Sequence, residues 1–138
     1  GGVLHNMIRT IINDDEKWRQ ILRGLNQQFH HSTVDYRDIV SYINTHAQRD
    51  FSAVFAQYVA HANIPTLEFF FNNNGQVFCR WISDVANFDM PVRIRIKDGE
   101  YQFIQPTTEL TPVPIKGLTR DNLEVDTFNF YIGVLINE

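Results

Sequence analysis

The spacing of apolar residues changes once along the chain, at the segment Ile64-Pro65-Thr66-Leu67. Before this segment, apolar residues recur every three or four positions, which is the period of an amphipathic helix. After it, they mostly alternate with polar residues, as they do in a β-strand. Pro65 cannot continue a helix and restricts the residue before it. We therefore predict an α+β fold with two units, a helical unit over residues 1–64 and a β unit over residues 65–138.

The helical unit contains four amphipathic segments that are separated by polar breaks. Asp35 and Asp50 are placed as N-caps, because a carboxylate at that position accepts a free backbone N–H of the first turn. A hydrophobic staple between Val34 and Ile39 is predicted across the start of the third helix. The predicted helices run over residues 2–12, over residues 16–29, from Asp35 through Ile43, and from Asp50 to the break at residues 61–63.

The β unit contains short segments that are joined by turn sequences. Asn72-Asn73-Asn74-Gly75 and Asp98-Gly99 are typical of hairpin turns, because these residue types tolerate positive φ. Residues 106–114 are rich in proline and are predicted to form an edge or a loop. The spacing indicates an antiparallel sandwich. Its predicted strands cover residues 66–71, 76–83, 91–97, 101–105, 123–127 and 128–136.

Charge and composition argue against several classes of function. Residues 1–65 carry six acidic and six basic residues, whereas residues 66–138 carry ten acidic and six basic ones. An acidic β unit argues against nucleic-acid binding, which needs a clustered basic surface. The apolar runs are too short for a membrane span. The single cysteine, Cys79, cannot form an internal disulfide, so cytoplasmic and periplasmic locations are both allowed.

The five histidines raise the hypothesis of a metal site, but their spacing argues against one. Metal-binding helices place two imidazoles on one face, as in an H-E-x-x-H motif, and the sequence contains no such motif. His30 and His31 are adjacent and would diverge on a helix. We interpret them as residues of a helix C-terminus, where they complement the dipole. The remaining histidines are His5, His46 and His61.

Two further clusters suggest chemistry but have simpler interpretations. Asp14-Asp15-Glu16 could supply paired carboxylates, yet acidic residues are favoured at a helix start. Cys79 could be a nucleophile beside a histidine, yet its apolar strand setting favours a buried structural thiol. We therefore assign no catalytic, cofactor-binding or metal-ligating residue to this chain.

Two surface features remain open. Arg93, Arg95 and Lys97 alternate along one predicted strand, which favours a solvated strand face, with an acidic partner surface as the alternative. A group of aromatic residues near the end of the chain favours sandwich core, with a sugar-stacking or protein-binding platform as the alternative. Its members are Phe128, Phe130 and Tyr131.

Five sequence elements follow one another along the helical unit, at residues 1–9, 14–22, 35–39, 48–58 and 63–67. The first is a helix that begins at glycine, and the second is an acidic turn followed by a helix that contains tryptophan. The third is a helix start with acidic residues, the fourth contains Phe-x-Gln followed by an aromatic residue, and the fifth contains proline and leucine. In this order they resemble the zinc aminopeptidases of the gluzincin class, the family that includes aminopeptidase N and leukotriene A4 hydrolase. The chain departs from the family pattern at Asn63, where the family has glycine, and at Tyr58, where it has tryptophan.

The resemblance implies a domain organisation. Residues 1–64 would be the helical end of a thermolysin-like catalytic domain, and residues 65–138 an immunoglobulin-like β-sandwich. The H-E-x-x-H motif, the third glutamate ligand and the catalytic tyrosine of the family all precede the glycine at which this chain starts. The resemblance therefore assigns no catalytic residue, cofactor or metal ligand here. The start at Gly1-Gly2 within a helical pattern is typical of a fragment, although a tag scar would also leave glycines.

The function implied by the resemblance is that of a C-terminal part of a zinc-dependent metallo-aminopeptidase, a hydrolase that removes N-terminal residues from peptides. The chain itself would be an inactive scaffold. Zinc and the peptide substrate would bind in the missing catalytic domain, and exposed apolar surface would promote self-association. The alternative function is a non-catalytic protein- or glycan-binding module with a helical adaptor.

Overall fold

The computed structural model describes residues 2–29 and 35–137, and it has the predicted α+β order. Four helices and then seven strands follow one another in this part of the chain. The helices are α1 (Gly2–Ile12), α2 (Asp15–Gln28), α3 (Tyr36–Ala47) and α4 (Ser52–Ala60). The strands are β1 (Thr66–Phe71), β2 (Val77–Ile82), β3 (Val92–Ile96), β4 (Gln102–Ile104), β5 (Thr111–Pro112), β6 (Leu123–Val125) and β7 (Gly133–Asn137).

Acidic side chains lie at the starts of α2, α3 and α4, as the sequence predicts. Asp35 is the N-cap of α3, and its carboxylate accepts a backbone N–H of the first turn at 3.0 Å. At α4 the prediction is wrong by one residue, because Phe51 is the N-cap. The Asp50 carboxylate nevertheless accepts the Ser52 N–H at 2.8 Å and so stabilises the same helix start. Val34, the outer half of the predicted staple, lies outside the described residues.

The β unit consists of two sheets, with strand orders β5-β2-β1-β7 and β4-β3-β6. Most neighbouring strands are antiparallel, and Phe69 of β1 lies opposite Cys79 of β2. β7 pairs with β1 in parallel, with Thr66 opposite Gly133. The buried side chains of both sheets belong to one apolar core that continues into the helices. A helical unit followed by a sandwich-like β unit therefore describes the architecture.

The segment 126–132 departs from the predicted strand over residues 128–136. The strand β7 begins only at Gly133, after an irregular connection. The Asp126 carboxylate accepts the Asn129 N–H at 3.0 Å and closes a turn that interrupts the extended backbone. This turn buries Phe130 completely and leaves Phe128 93% exposed. Phe130 is sandwich core as predicted, whereas that prediction is wrong for Phe128 and for Tyr131, which is 56% exposed.

Pro65 lies at the boundary between the last helix and the first strand, as the change of period predicts. Residues 106–114 form a loop that contributes the two-residue edge strand β5, which agrees with their predicted role as an edge or a loop. Among the described residues, none of the helices has the length and apolarity that crossing a bilayer requires.

Candidate functional site

Gln57 joins the helical unit to the β unit. This α4 side chain is fully buried, and its Nε2 donates to the Asn63 carbonyl at 3.0 Å and to Asp84 Oδ2 at 3.1 Å. Its Oε1 accepts the backbone N–H groups of Asp84 and Val85, both at 3.0 Å. All four hydrogen-bonding positions of the amide are therefore used. The Gln57 amide therefore holds the connection that follows β2 against α4.

A second polar network joins β3 to α1. Arg93 donates to Asp126 Oδ2 from Nη2 at 2.6 Å and from Nε at 3.0 Å. Asn129 Nδ2 donates to the same oxygen at 3.0 Å, and Asn6 of α1 donates to Asn129 Oδ1 at 3.2 Å. Asp126 is only 2% exposed, so its charge depends on these partners. The network fixes the position of α1 relative to the β unit.

The ionisation of Asp126 reflects two opposing effects. Burial by itself would raise the pKa of this carboxyl. Hydrogen bonds from Asn129 and Arg93, together with the positive charge of Arg93, outweigh burial and lower the pKa below its ordinary value. The carboxylate is therefore ionised throughout the physiological pH range. It acts as an anchor for the network rather than as a proton donor.

A polar cavity of about 250 Å³ lies beside this network, between α1 and the β unit. Its charged residues are paired locally, since Arg9 approaches Asp15 at 3.4 Å and Arg93 binds Asp126. The remaining lining residues are Thr10, Asn13 and Asn129. This cavity offers hydrogen bonds to a small polar group. The part of the chain that the structure describes places no histidine, no cysteine and no pair of carboxylates in its lining.

A third contact at the same junction comes from Tyr58 of α4. Its hydroxyl donates to the Tyr131 carbonyl at 2.8 Å. Burial raises the pKa of Tyr58, and the charge of Tyr131 adds to this effect. The hydroxyl therefore stays protonated and remains a hydrogen-bond donor at all ordinary pH values.

The histidines do not form a metal centre in the described part of the chain. His5 packs edge-on against Trp18, with ring centroids 5.0 Å apart, and His46 stacks on Tyr42 at 3.9 Å. Within residues 2–29 and 35–137 there is no group of three His, Cys, Asp or Glu side chains that could hold a metal ion. His30 and His31, and with them the prediction of a helix C-terminus, lie outside these residues.

The other predicted chemical clusters are structural. Cys79 is buried in β2, and burial raises the pKa of its thiol to about 11, although a hydrogen bond with Thr111 opposes the shift. The thiol is therefore a poor nucleophile. Asp14 is the N-cap of α2, and Glu16 pairs with Arg19 at 3.3 Å. These contacts account for the acidic cluster at the start of this helix.

The basic stripe of β3 is not a simple solvated face. The neighbouring strand β6 and the residue after it supply acidic partners, since Arg95 Nε donates to Glu124 at 2.7 Å and Arg93 binds Asp126. The Arg95 guanidinium also lies 4.4 Å above the Tyr101 ring. Only Lys97 is exposed. A matching signal is present in the sequence, because Glu124 and Asp126 alternate with the same period of two.

The residues that join the two units carry no motif. Gln57 is a polar residue among apolar ones in α4, and only tertiary structure shows what it binds. Asn6 and Asn129 are separated by 123 positions, and nothing in their local sequence relates them.

Comparison with known proteins gives a structural match without a sequence match. No protein-family model and no curated protein matches the chain. A crystal structure of Legionella pneumophila aminopeptidase A in complex with aspartic acid matches 99% of this chain with a TM-score of 0.71 and 11% sequence identity. The chain covers 17% of the length of that aminopeptidase chain. The chain therefore shares the fold of one segment of an aminopeptidase.

Proposed function

We propose that this chain is a C-terminal part of a zinc-dependent metallo-aminopeptidase and serves as a scaffold without the catalytic centre. One observation carries the proposal. The helical unit, the boundary at Pro65 and the β unit together match one continuous architecture in an aminopeptidase, over 99% of the chain. The ordered sequence elements of the helical unit support the gluzincin class independently of this match. α4 ends at Ala60 and β1 begins at Thr66, and this order supports a division into two units near Pro65.

The geometry of the junction supports a scaffold role. Gln57, Tyr58 and Asn6 each donate a hydrogen bond from the helical unit to the β unit. A scaffold for neighbouring domains needs its helical unit and its β unit to keep a fixed relative position. Residues 2–29 and 35–137 contain no group of three His, Cys, Asp or Glu side chains that could hold a metal ion. In this proposal, zinc and the peptide substrate bind in another part of a longer parent enzyme.

The encoding reading frame tests this proposal. We expect an H-E-x-x-H motif with a downstream glutamate before Gly1. We also expect the product of the complete frame to hydrolyse aminoacyl-4-nitroanilides. A zinc chelator should abolish this activity and added zinc should restore it, while the 138-residue chain alone should be inactive. The proposal is wrong if no such motif precedes Gly1, or if this chain alone binds stoichiometric zinc by elemental analysis.

The exposed apolar surface supports self-association of the isolated chain. Val134, Leu135 and Ile136 are 39%, 43% and 39% exposed on β7, which is the last strand of its sheet among the described residues. An edge strand with exposed apolar side chains favours pairing between copies. We expect a concentration-dependent increase in mass by analytical ultracentrifugation, and Leu135→Lys should reduce it. A wild-type mass that is independent of concentration would contradict this.

A second candidate function is a non-catalytic protein- or glycan-binding module. The nearly complete exposure of Phe128, with Tyr131 56% exposed beside it, favours this candidate. Arg93 and Arg95 contribute less to such a surface, because they are paired within the β unit. A glycan array or a pull-down that loses its signal with Phe128→Ala, but keeps it with Lys97→Ala, would support this function over the peptidase scaffold.

A further inference from the structure

An open groove with aromatic residues in its wall lies at the start of α1. Its volume is about 280 Å³, and its wall includes Gly2 and Val3 of α1 and Phe128 and Tyr131 of the segment 126–132. Phe128 is 93% exposed, Tyr131 56% and Val3 50%. Exposed apolar side chains that adjoin one another in this way mark interaction surfaces in proteins. We call this feature the N-terminal groove.

The exposed aromatic residues of the groove stand on a backbone that is fixed by hydrogen bonds from the helical unit. Asn129, which follows Phe128, accepts a hydrogen bond from Asn6 of α1 at 3.2 Å. The Tyr131 carbonyl accepts the Tyr58 hydroxyl of α4 at 2.8 Å. Aromatic side chains on a fixed backbone lose little conformational entropy on binding, and they supply a large part of the binding energy in protein interfaces. A surface of this kind suits contact with a polypeptide.

The position of Gly2 indicates which polypeptide covers the groove. We rely here on the proposed function, in which further polypeptide precedes Gly1. The chain covers 17% of the length of the aminopeptidase chain that shares its fold, so a parent of similar length has most of its polypeptide outside residues 1–138. The preceding segment joins α1 at the groove, because Gly2 is part of the wall. Its last five residues extend no farther than about 18 Å, at about 3.6 Å per residue. They are therefore held at a high effective concentration beside Phe128 and Tyr131.

We propose that, in the parent enzyme, the segment immediately before Gly1 packs in the N-terminal groove and covers Phe128 and Tyr131. The wall contains no Asp, Glu, Lys or Arg, so the groove fits a segment of apolar and uncharged polar residues. Burial of the Phe128 ring and of the exposed part of Val3 stabilises this contact. The contact joins the upstream polypeptide to the β unit directly, in addition to its covalent connection through α1.

Photo-crosslinking in the product of the complete reading frame identifies the occupant of the groove. Phe128→p-benzoylphenylalanine places a crosslinker at the exposed aromatic position, and mass spectrometry of the digested protein locates the link. We expect a link within the same polypeptide to the segment immediately before Gly1. If this variant does not fold, Val3→p-benzoylphenylalanine tests the same groove from α1 and should link to the same segment.

Leu110 provides the matched control for an exposed apolar position outside the groove. It is 50% exposed and lies beside β5, at the opposite edge of the sheet from β7. Three spacings between neighbouring strands, about 14 Å in all, separate the two edges. Leu110→p-benzoylphenylalanine should therefore give no link to the segment before Gly1. Equal links from positions 110 and 128 would show that the crosslinker reacts without a specific contact, and would overturn the proposal.

Other outcomes separate the failure of this contact from the failure of the proposed function. An active zinc aminopeptidase in which positions 128 and 3 do not link to the segment before Gly1 would overturn the groove contact alone. A link between two copies of the protein, seen as a product of twice the mass, would assign the groove to self-association instead. An upstream segment that links to position 128 but belongs to a protein without an H-E-x-x-H motif would support the contact and overturn the proposed function. A reading frame with no residues before Gly1 would overturn both.

Discussion

The two tryptophans show how differently the two units are built. Trp81 of the β unit donates to the Met90 carbonyl and meets the Phe88 ring edge-on at 5.2 Å. Trp18 of the helical unit is as deeply buried, but its N–H is unpaired and it borders a cavity. The β unit thus combines apolar packing with satisfied polar groups, whereas the helical unit has an open apolar pocket and a buried donor without an acceptor. Closely similar burial therefore does not imply equal contributions to stability.

The same contrast holds for charged groups. The ion pairs of the helical unit, such as Arg9 with Asp15, join exposed side chains and contribute little to stability. In the β unit, Arg80 pairs across strands with Glu68, which is 5% exposed, and Arg93 pairs with the buried Asp126. Removing one partner of a buried pair leaves an uncompensated charge. We therefore expect the largest effects of substitution in the β unit and at its junction with the helices.

The largest predicted effect is that of Asp126→Ala. This change removes the acceptor for Arg93 and for Asn129, and with it the turn that precedes β7. We expect a loss of about 3 kcal/mol in the free energy of unfolding by urea denaturation, since the guanidinium is left partly buried and unpaired. Glu109→Ala is the control for an exposed acidic residue and should stay within about 0.5 kcal/mol. A loss for Asp126→Ala as small as that of the control would show that solvent replaces the network.

Local features of the sequence predict the helices more closely than the β unit. The bounds of α1, Gly2–Ile12, coincide with the prediction, because an apolar stripe at helical spacing and the following Asn13-Asp14 break are both local. The strand predicted over residues 128–136 is correct only from Gly133 onwards, because the turn before it depends on Asp126 and Asn129. The parallel pairing of β7 with β1 joins distant segments, and alternation alone does not reveal it.

The candidate site was harder to predict than the fold, because its residues lack motifs. Asn6 and Gln57 act through partners that are distant in sequence, and an isolated asparagine or glutamine carries no signal of that kind. The basic residues of β3 do have a sequence signal, in the acidic alternation of Glu124 and Asp126. Matching charge patterns between predicted strands would have found these pairs.

The second prediction concerns Gln57→Leu at the junction. The substitution keeps the volume of the side chain approximately but leaves the backbone N–H groups of Asp84 and Val85 without their acceptor. We expect a loss of about 2 kcal/mol in the free energy of unfolding, because buried donors then lack partners. Gln27→Leu on the exposed side of α2 is the matched control. Equal stabilities of the two variants would mean that apolar packing alone holds the units together.

The third prediction compares the two tryptophans directly. Trp81→Phe removes a hydrogen bond to the Met90 carbonyl together with part of a tightly packed ring, whereas Trp18→Phe removes no hydrogen bond within the described residues. We expect Trp81→Phe to cost about 1 kcal/mol more than Trp18→Phe in urea denaturation. If Trp18→Phe costs as much or more, the unpaired indole N–H is satisfied in solution, and the contrast between the two cores is smaller than the structure indicates.

The smallest predicted effect is the part of the acid-induced loss of stability that comes from the Asp126 network. A carboxyl whose pKa is lowered on folding contributes stability above its ordinary pKa of about 4, and this contribution is lost as pH falls through the folded value. The pKa values of Asp35 and Asp50 are lowered too, by hydrogen bonds from Arg37 and Ser52 respectively, so total stability falls in acid for several reasons.

Asp126→Asn removes only one of these contributions. The stability difference between wild type and this variant should therefore be constant from pH 7 to pH 5 and should shrink below about pH 4. A difference that persists unchanged to pH 2 would show that the amide cannot replace the carboxyl for steric reasons, and that the charge of Asp126 contributes little.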